Sequence, residues 1–319
     1  MNPDHWYGKP YYSLDAYCKN TFHHKCYKIA LNAHMSCPNR DGTLDTRGCI
    51  FCSAGGSGDF AVPTAGKSIR RQLEQGLSLF HDKKVGQDFI AYFQAYTNTY
   101  APLERLRALF EEAVTLPDAV GLNVATRADC LPDEVIAYLA ELSVRTVVTV
   151  ELGLQTAHDE TARLINRGHD LACFEETFFR IRRMAPRVRI GIHLILGLIG
   201  ENDEMMVQTV QKVAELRPDE VKLHCLYVQE GTKIAEIYRN GGYFPLEREH
   251  YVSLVVQALE LLPPEVVVGR LTGDGDRNCL LAPLWTKNKR AILNEIDKKF
   301  YVNNSFQGKR FLNSAYIKP

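Results

Sequence analysis

Three cysteines in one polar loop are the residues best suited to hold a reactive metal group. Eleven residues separate Cys37 from Cys49, and two separate Cys49 from Cys52. Three thiolates suit a 4Fe-4S cluster whose fourth iron stays open to a small molecule that binds through nitrogen and oxygen. A structural zinc site is the alternative, and it needs a fourth ligand from outside the trio. The candidates for that ligand are His34, Cys26 and Cys18.

The composition is that of a globular protein with no sign of export. The 319 residues carry no formal net charge and 45% of them are hydrophobic, which excludes a polycation or a disordered chain as a description of the whole. The N-terminus shows no signal-peptide pattern, and no apolar run reaches the length of a membrane span. We therefore expect a cytoplasmic protein without a membrane partner, in which cysteines are thiols or metal ligands.

Helix and strand patterns alternate after the cysteine loop. Helical spacing of apolar residues predicts helices over 68–80, 103–114, 132–142, 159–165, 174–184, 204–216 and 251–262. Apolar runs predict strands from residue 28 and over 88–93, 120–125, 146–152, 188–196 and 220–226. Parallel neighbours need a crossover between them, so about six such units predict an α/β fold, a partial (β/α)6 TIM-like barrel. The cysteine loop should lie at the carboxyl ends of its strands, where reactive groups gather.

The same patterns predict three segments. Residues 1–27 are aromatic and polar without periodicity, and they predict an N-terminal cap. Residues 28–262 hold the barrel, which the Pro263-Pro264 pair ends. Residues 263–319 leave the pattern and form a basic and aromatic C-terminal extension.

The cysteine loop resembles the cluster motif of the radical S-adenosylmethionine (SAM) superfamily. Members commonly carry CxxxCxxC with an aromatic residue before the third cysteine, and Phe51 holds that place here. The wider first gap and the segment CPNRDG at 37–42 resemble the branch that contains the catalytic subunit of Elongator. The resemblance implies a 4Fe-4S-dependent enzyme that generates a 5'-deoxyadenosyl radical from SAM, with Phe51 near the cofactor. It also implies an electron donor such as a flavodoxin or ferredoxin.

Polar residues at two further strand ends resemble the SAM-binding signatures of this branch. Glu151 and Gln155 lie at the end of the fourth strand, and Arg167 follows one helix later. The resemblance implies that the first two contact the SAM ribose and that Arg167 pairs with the methionyl carboxylate. Thr97 and Asn98 follow the second strand, where relatives carry the turn that receives the SAM amino group. An ordinary surface arginine with strand-end caps is the structural alternative.

Candidate catalytic residues follow on the fifth and sixth strands. His193 precedes GLIGE at 197–201, which resembles the GLPGE turn of the branch, although a histidine on an apolar strand is often only a core residue. Lys222, His224 and Tyr227 are expected on the same mouth of the barrel. A further landmark of the branch, GRLTGD at 269–274, supplies other substrate-side candidates, which are Arg270, Thr272, Gly273 and Asp274.

Basic and aromatic residues are interleaved over 285–319, with only Glu295 and Asp297 as acidic residues. Cations attract phosphates and rings stack on unpaired bases, so the segment suits single-stranded or loop RNA. The RNA-binding candidates are Lys298, Lys299, Lys309 and Arg310. A solvated basic tail whose rings pack on the barrel is the alternative.

Three functions remain open at this point. Elongator-like proteins act at C5 of the tRNA wobble uridine, so the resemblance implies a radical SAM enzyme that modifies a tRNA base, at the wobble uridine side chain. The second function is a radical SAM enzyme that acts on a small metabolite or peptide. The third is a non-catalytic, zinc-stabilised RNA-binding protein. Iron content and SAM cleavage separate the third from the others, and tRNA nucleoside profiles separate the first two.

Overall fold

Strands and helices alternate through most of the chain in the computed structural model, which describes residues 3–56, 68–78, 88–273 and 275–311. The strands are β1 (Tyr27–Leu31), β2 (Phe89–Phe93), β3 (Ala119–Thr126), β4 (Val147–Gln155), β5 (Arg189–Leu196), β6 (Glu220–Cys225), β7 (Val228–Gln229), β8 (Val267–Arg270) and β9 (Leu280–Ala282). The helices are α1 (Leu14–Phe22), α2 (Ile69–Ser78), α3 (Leu103–Val114), α4 (Asp133–Leu142), α5 (Asp159–Leu164), α6 (Leu171–Met184), α7 (Asp203–Leu216), α8 (Lys233–Arg239), α9 (Arg248–Leu261) and α10 (Lys289–Val302). None of these described helices is long and apolar enough to cross a membrane. The predicted end of the first helix at 79–80, the candidate Asp274 and residues 312–319 lie outside the described residues.

One sheet holds seven strands in the order β1-β2-β3-β4-β5-β6-β8, and β7 pairs with β9 antiparallel. The pairs β1 with β2, β2 with β3, β3 with β4 and β6 with β8 are parallel. Helices between successive strands supply the crossovers that parallel pairing requires. The predicted α/β partial barrel is confirmed. It has one strand more than the six units counted, β8, whose last two residues, Gly269 and Arg270, open the GRLTGD segment.

The chain divides into two compact units. The first, here called the cysteine unit, comprises Cys18–Gly153 and Arg167–Gly191. The second, the C-terminal unit, comprises Met1–Tyr17, Leu154–Asn166 and Ile192–Pro319. The division does not follow the three segments predicted along the chain, whose boundaries stay a prediction.

Aromatic rings fill the core of the cysteine unit. Phe93 of β2 meets Phe110 of α3 edge to face, with ring centroids 4.9 Å apart. Tyr138 of α4 stacks on Phe110 at 6.3 Å. The helices present these rings because their apolar residues recur every three or four positions. The packing holds α3 against β2 and α4 against α3.

The C-terminal unit contains a helix, α10, that the sequence analysis does not predict. Ile292, Ile296 and Phe300 recur every four residues and are fully buried. The Asn288 side chain caps the helix by accepting a hydrogen bond from the Ala291 N–H at 3.2 Å. The predicted basic and aromatic C-terminal extension therefore contains an amphipathic helix with one buried face.

Gln307 fastens the chain beyond α10. Its buried Nε2 donates to the carbonyls of Pro263 at 2.7 Å and Val266 at 2.8 Å, and its Oε1 accepts from the Tyr12 N–H at 2.9 Å. A fully buried amide whose groups are hydrogen-bonded stabilises the segments that it joins. Gln307 thus joins a residue near the N-terminus, Tyr12, to the segment that precedes β8.

Candidate cofactor site

The cysteine loop turns back on itself soon after β1. The Cys37 carbonyl accepts hydrogen bonds from the N–H groups of Arg40 at 2.8 Å and Asp41 at 3.1 Å, which closes a turn at the first cysteine. A second turn joins the other two, since the Cys52 N–H donates to the Cys49 carbonyl at 3.0 Å. All three cysteines are half-buried and outside any disulfide, so their thiols are available as ligands.

Arg40 lies in the eleven-residue gap between the first two cysteines and bonds to the backbone at the third. Its Nη2 donates to the carbonyls of Cys52 at 2.9 Å and Ser53 at 2.7 Å. Gly48 lies against this side chain, where an added Cβ would stand 2.9 Å from the Arg40 Nε. Its φ of +74° also favours glycine. The arginine of CPNRDG therefore ties the turn of the first cysteine to the third, a role that spacing alone does not reveal.

The three thiols lie near enough to influence one another. Burial, and after it the neighbouring Cys52, raise the pKa of Cys49 to about 12, while Arg127 opposes the rise and Cys37 adds to it. The Asn39 amide donates to the Cys49 sulfur at 3.7 Å, the kind of contact that tunes a metal ligand. Within the described residues, no three His, Cys, Asp or Glu side chains already form a finished metal site. The trio fits an iron-sulfur cluster provided that its thiols deprotonate and converge as the metal binds.

Arg167 is joined to the cysteine loop through its backbone. Its carbonyl accepts hydrogen bonds from the Asn39 Nδ2 at 3.2 Å and the Arg127 Nη1 at 2.7 Å. Arg127 is itself held by Asp129 through two bonds, at 2.9 and 2.7 Å. The buried Arg167 side chain donates from Nε to the His169 carbonyl at 2.9 Å. The predicted carboxylate-binding arginine and the loop of the predicted cluster ligands thus share one network within the cysteine unit.

Gly168 makes this close packing possible. A Cβ added there would lie 2.5 Å from the Asn39 Oδ1 and 3.0 Å from the Arg127 Nη2, and φ is +85°.

Burial, and then the charge of Arg167, lower the pKa of His169 to about 4, so its imidazole is neutral at pH 7. Sequence reasoning misses both Asn39 and Arg127 as site residues. CPNRDG contains the first, whereas no spacing singles out the second.

Hydrogen bonds hold the loop after β2 to the cysteine loop and to the end of β3. The Thr97 N–H donates to the Ser36 carbonyl at 3.2 Å, beside the first cysteine. The Asn98 Nδ2 donates to the carbonyls of Phe93 and Ala125, at 3.0 Å each. Both Thr97 and Asn98 are buried. The structure therefore places this pair next to the cysteine loop, and it uses the Asn98 amide to join the ends of β2 and β3. Their contact with SAM stays a prediction.

Glu151 forms a buried ion pair. Its side chain is fully buried, and its Oε1 accepts from the Lys28 Nζ at 3.1 Å and the Asn123 Nδ2 at 2.6 Å. The Lys28 ammonium also lies 5.7 Å from the Tyr92 ring centroid. These residues come from four adjacent strands, β1 to β4. The predicted ribose contact of Glu151 stays a prediction beside this observed structural role.

Two other predicted cofactor contacts lie in a turn and at the end of a strand. Phe51 is half-buried between the second and third cysteines. Gln155 ends β4 with φ at +61°, a left-handed conformation that is costly for any residue but glycine and recurs at functional sites. The next residue, Thr156, secures the turn by accepting a hydrogen bond from the His158 N–H at 3.0 Å. Gln155 belongs to the C-terminal unit, and its contact with the ribose stays a prediction.

The predicted catalytic residues lie in the C-terminal unit. His193 and His224 stand on β5 and β6 with ring centroids 5.5 Å apart and planes tilted by 35°. Lys222 is buried on the same strand as His224. Beyond the strand, the Tyr227 ring packs on Gly273, where an added Cβ would lie 2.7 Å away. The structure thus brings the two histidines together, and it shows that GRLTGD begins with the last two residues of β8 and continues as a turn against Tyr227.

The predicted RNA-binding residues differ in their surroundings. Lys298 and Arg310 are exposed. Lys299 is half-buried, and its Nζ lies 2.5 Å from the Ser253 hydroxyl. Lys309 donates to a backbone carbonyl at 3.0 Å. Only the first two therefore present an unengaged charge within the described residues.

Family models cover most of the chain. The radical SAM superfamily model matches residues 46–213, and the radical SAM C-terminal domain model matches residues 218–301. YtqA of Bacillus subtilis, an uncharacterized protein, is 44% identical over 303 residues, which cover 95% of this chain and 93% of YtqA. Elongator complex protein 3 of Schizosaccharomyces pombe is 26% identical over 83% of this chain and 55% of its own length. A tRNA uridine(34) acetyltransferase of Methanocaldococcus jannaschii is 28% identical over 49% of this chain and 28% of its own length.

Solved structures share the fold. The archaeal Elp3 of Methanocaldococcus infernus superposes with a TM-score of 0.62 at 17% identity, over 86% of this chain and 63% of that one. Methylornithine synthase superposes with a TM-score of 0.50 at 12% identity, over 80% and 67%. The family uses a 4Fe-4S cluster together with SAM, which decides against the alternative of a zinc-stabilised protein without catalysis. That Cys37, Cys49 and Cys52 hold the cluster stays a prediction. The chain therefore belongs to the radical SAM superfamily, in its Elongator-like branch, and is a radical SAM enzyme.

Proposed function

We propose that this enzyme modifies a tRNA base, at the side chain of the wobble uridine. The observation that carries the proposal is the sequence relation to a tRNA uridine(34) acetyltransferase, which spans about half of this chain. The likeness to Elongator complex protein 3, which covers 83% of the chain, supports it. The chain matches only 28% and 55% of the lengths of these two relatives, so their whole reactions are not transferred.

Each cofactor has candidate ligands on the chain. Cys37, Cys49 and Cys52 would hold the cluster, which with bound SAM supplies a 5'-deoxyadenosyl radical that abstracts hydrogen from the substrate. A reduced flavodoxin or ferredoxin would provide the electron. Arg167 would orient SAM by pairing with its carboxylate, since a guanidinium forms two parallel hydrogen bonds with that group. The neutral His169 beside it adds no competing positive charge.

Substitution of Arg167 by alanine is expected to weaken SAM binding by about tenfold or more, because a hydrogen bond to a charged group contributes about 1.5–3 kcal/mol. The cluster should still assemble, since no cysteine is altered. SAM affinity is measured by equilibrium dialysis on the anaerobic protein, with iron content as the check on assembly. Arg163→Ala removes an exposed arginine nearby in sequence and serves as the control. Equal affinities in the two variants would remove Arg167 from the SAM site.

The test of the substrate is the nucleoside composition of tRNA from a strain that lacks the gene. We expect one modified uridine to disappear and its precursor to accumulate. The purified enzyme, with SAM and a reductant, should then convert the precursor in tRNA from that strain. Unaltered tRNA nucleosides would contradict the proposal and favour the alternative, a radical SAM enzyme for a small metabolite or peptide.

A further inference from the structure

The helix α10 has one exposed face opposite its buried one. Arg290, Asn294, Lys298 and Tyr301 are exposed and follow one another at spacings of four, four and three residues. Residues at these spacings lie on one side of an α-helix. The face is therefore a continuous stripe about 16 Å long, at 1.5 Å per residue.

The charge on this stripe is positive because the acidic residues of α10 are engaged elsewhere. Glu295 pairs with Arg248 at 3.1 Å, and Asp297 pairs with Lys9 at 2.5 Å. Within the described part of the chain, the stripe cations Arg290 and Lys298 have no ion pair. The stripe therefore presents two positive charges that no neighbouring acidic side chain among the described residues neutralises, and such charges attract a polyanion.

Two strongly exposed rings belong to the same unit. Tyr301 ends the stripe and is 87% exposed, and Phe244, on the loop before α9, is 82% exposed. That loop is held in place, since Tyr243 donates to the Gly197 carbonyl at 2.8 Å and the Trp285 Nε1 donates to the Leu246 carbonyl at 3.0 Å. The second bond joins the loop to the turn that leads into α10. Phe244 is thus exposed on a loop whose neighbouring residues are held by hydrogen bonds.

We propose that the α10 stripe and Phe244 form the surface that binds unpaired nucleotides of the RNA substrate. The inference rests on the proposed function and adds the place and manner of RNA binding. Cations in a row attract phosphates, and exposed rings offer faces on which splayed bases stack. An acidic protein partner would match the cations but would give the two rings no comparable role. Lys299 and Lys309, already engaged within the unit, lie outside this surface.

Charge reversal tests the cationic part. The double variant Arg290→Glu/Lys298→Glu should bind end-labelled bulk tRNA more weakly than the wild type. The slope of log affinity against log salt should fall by about 1.4, at about 0.7 per phosphate contact on a single strand. The control is Arg70→Glu/Arg71→Glu, which makes the same charge change at exposed positions of α2. SAM cleavage without RNA, driven by dithionite, should be unchanged in both.

Ring removal tests the stacking part. Tyr301→Ala and Phe244→Ala should each weaken tRNA binding by about 5- to 150-fold without changing the salt slope, since base stacking carries no charge. Val302→Ala, a neighbouring exposed apolar residue, is the control and should have little effect.

The outcomes separate this inference from the proposed function. If the wild type shows no salt-dependent tRNA binding, both are overturned. If the wild type binds tRNA and the stripe variants match their controls, only the RNA-binding surface is overturned. A double variant that keeps tRNA binding but loses SAM cleavage driven by reduced flavodoxin would assign the stripe to an acidic protein, and would also overturn the inference.

Discussion

Replacement of Cys37, Cys49 or Cys52 by alanine is expected to abolish both the cluster and the cleavage of SAM. Three cysteines leave one iron without a protein ligand for SAM, so a loss of any one leaves too few thiolates to hold the cluster. The anaerobically reconstituted variants should lack the brown colour, iron and sulfide of the wild type. They should form no 5'-deoxyadenosine above background in the presence of dithionite.

A cysteine outside the loop provides the matched control. Cys173 is half-buried in the same unit and is free, so Cys173→Ala removes the same atoms without touching the predicted ligand set. It should retain full iron content and SAM cleavage. Wild-type protein that takes up zinc and no iron under these conditions, or a loop variant with unchanged iron, would refute the assignment of the three ligands.

Substitution of Lys28 by methionine is expected to destabilise the protein by about 3–5 kcal/mol. The change leaves the fully buried Glu151 carboxylate without its ammonium partner, and an uncompensated buried charge is costly. The free energy of unfolding is measured by denaturant titration of the cluster-free protein. Addition of Glu151→Leu to the same chain should recover part of the loss, because it removes the buried charge.

Lys25 offers the comparison for this effect. It is exposed three residues earlier, with its ammonium 5.5 Å from the Tyr27 ring centroid. Lys25→Met should change stability by about 1 kcal/mol or less, the size of an exposed cation–π contact. Equal unfolding midpoints for the two variants would show that the Lys28–Glu151 pair does not stabilise the sheet.

Local features of the sequence determined much of the fold and predict the cluster ligands. The helix predicted over 103–114 is observed as Leu103–Val114, because apolar periodicity is a property of neighbouring residues. The three cysteines are recognisable for a similar reason, since their spacing and the CPNRDG segment lie within one short loop. In contrast, α10 is not predicted, because its interleaved basic and aromatic residues are interpreted as an RNA-binding extension. The spacing of its buried residues at 292, 296 and 300 is nevertheless a helical signal in the sequence.

Contacts between distant residues were decided by the tertiary structure alone. Asn39 meets the Arg167 carbonyl across 128 positions, and Lys28 meets Glu151 across 123. The first contact depends on how two loops pack, since neither residue lies in a strand. The second depends on which strands are neighbours and in what register, and one residue of slip would turn its side chain to the other face of the sheet. The sequence by itself therefore determined which residues could carry the chemistry. Only the folded structure decided that Lys28 neutralises the buried Glu151 and that Arg127 and Asn39 support Arg167.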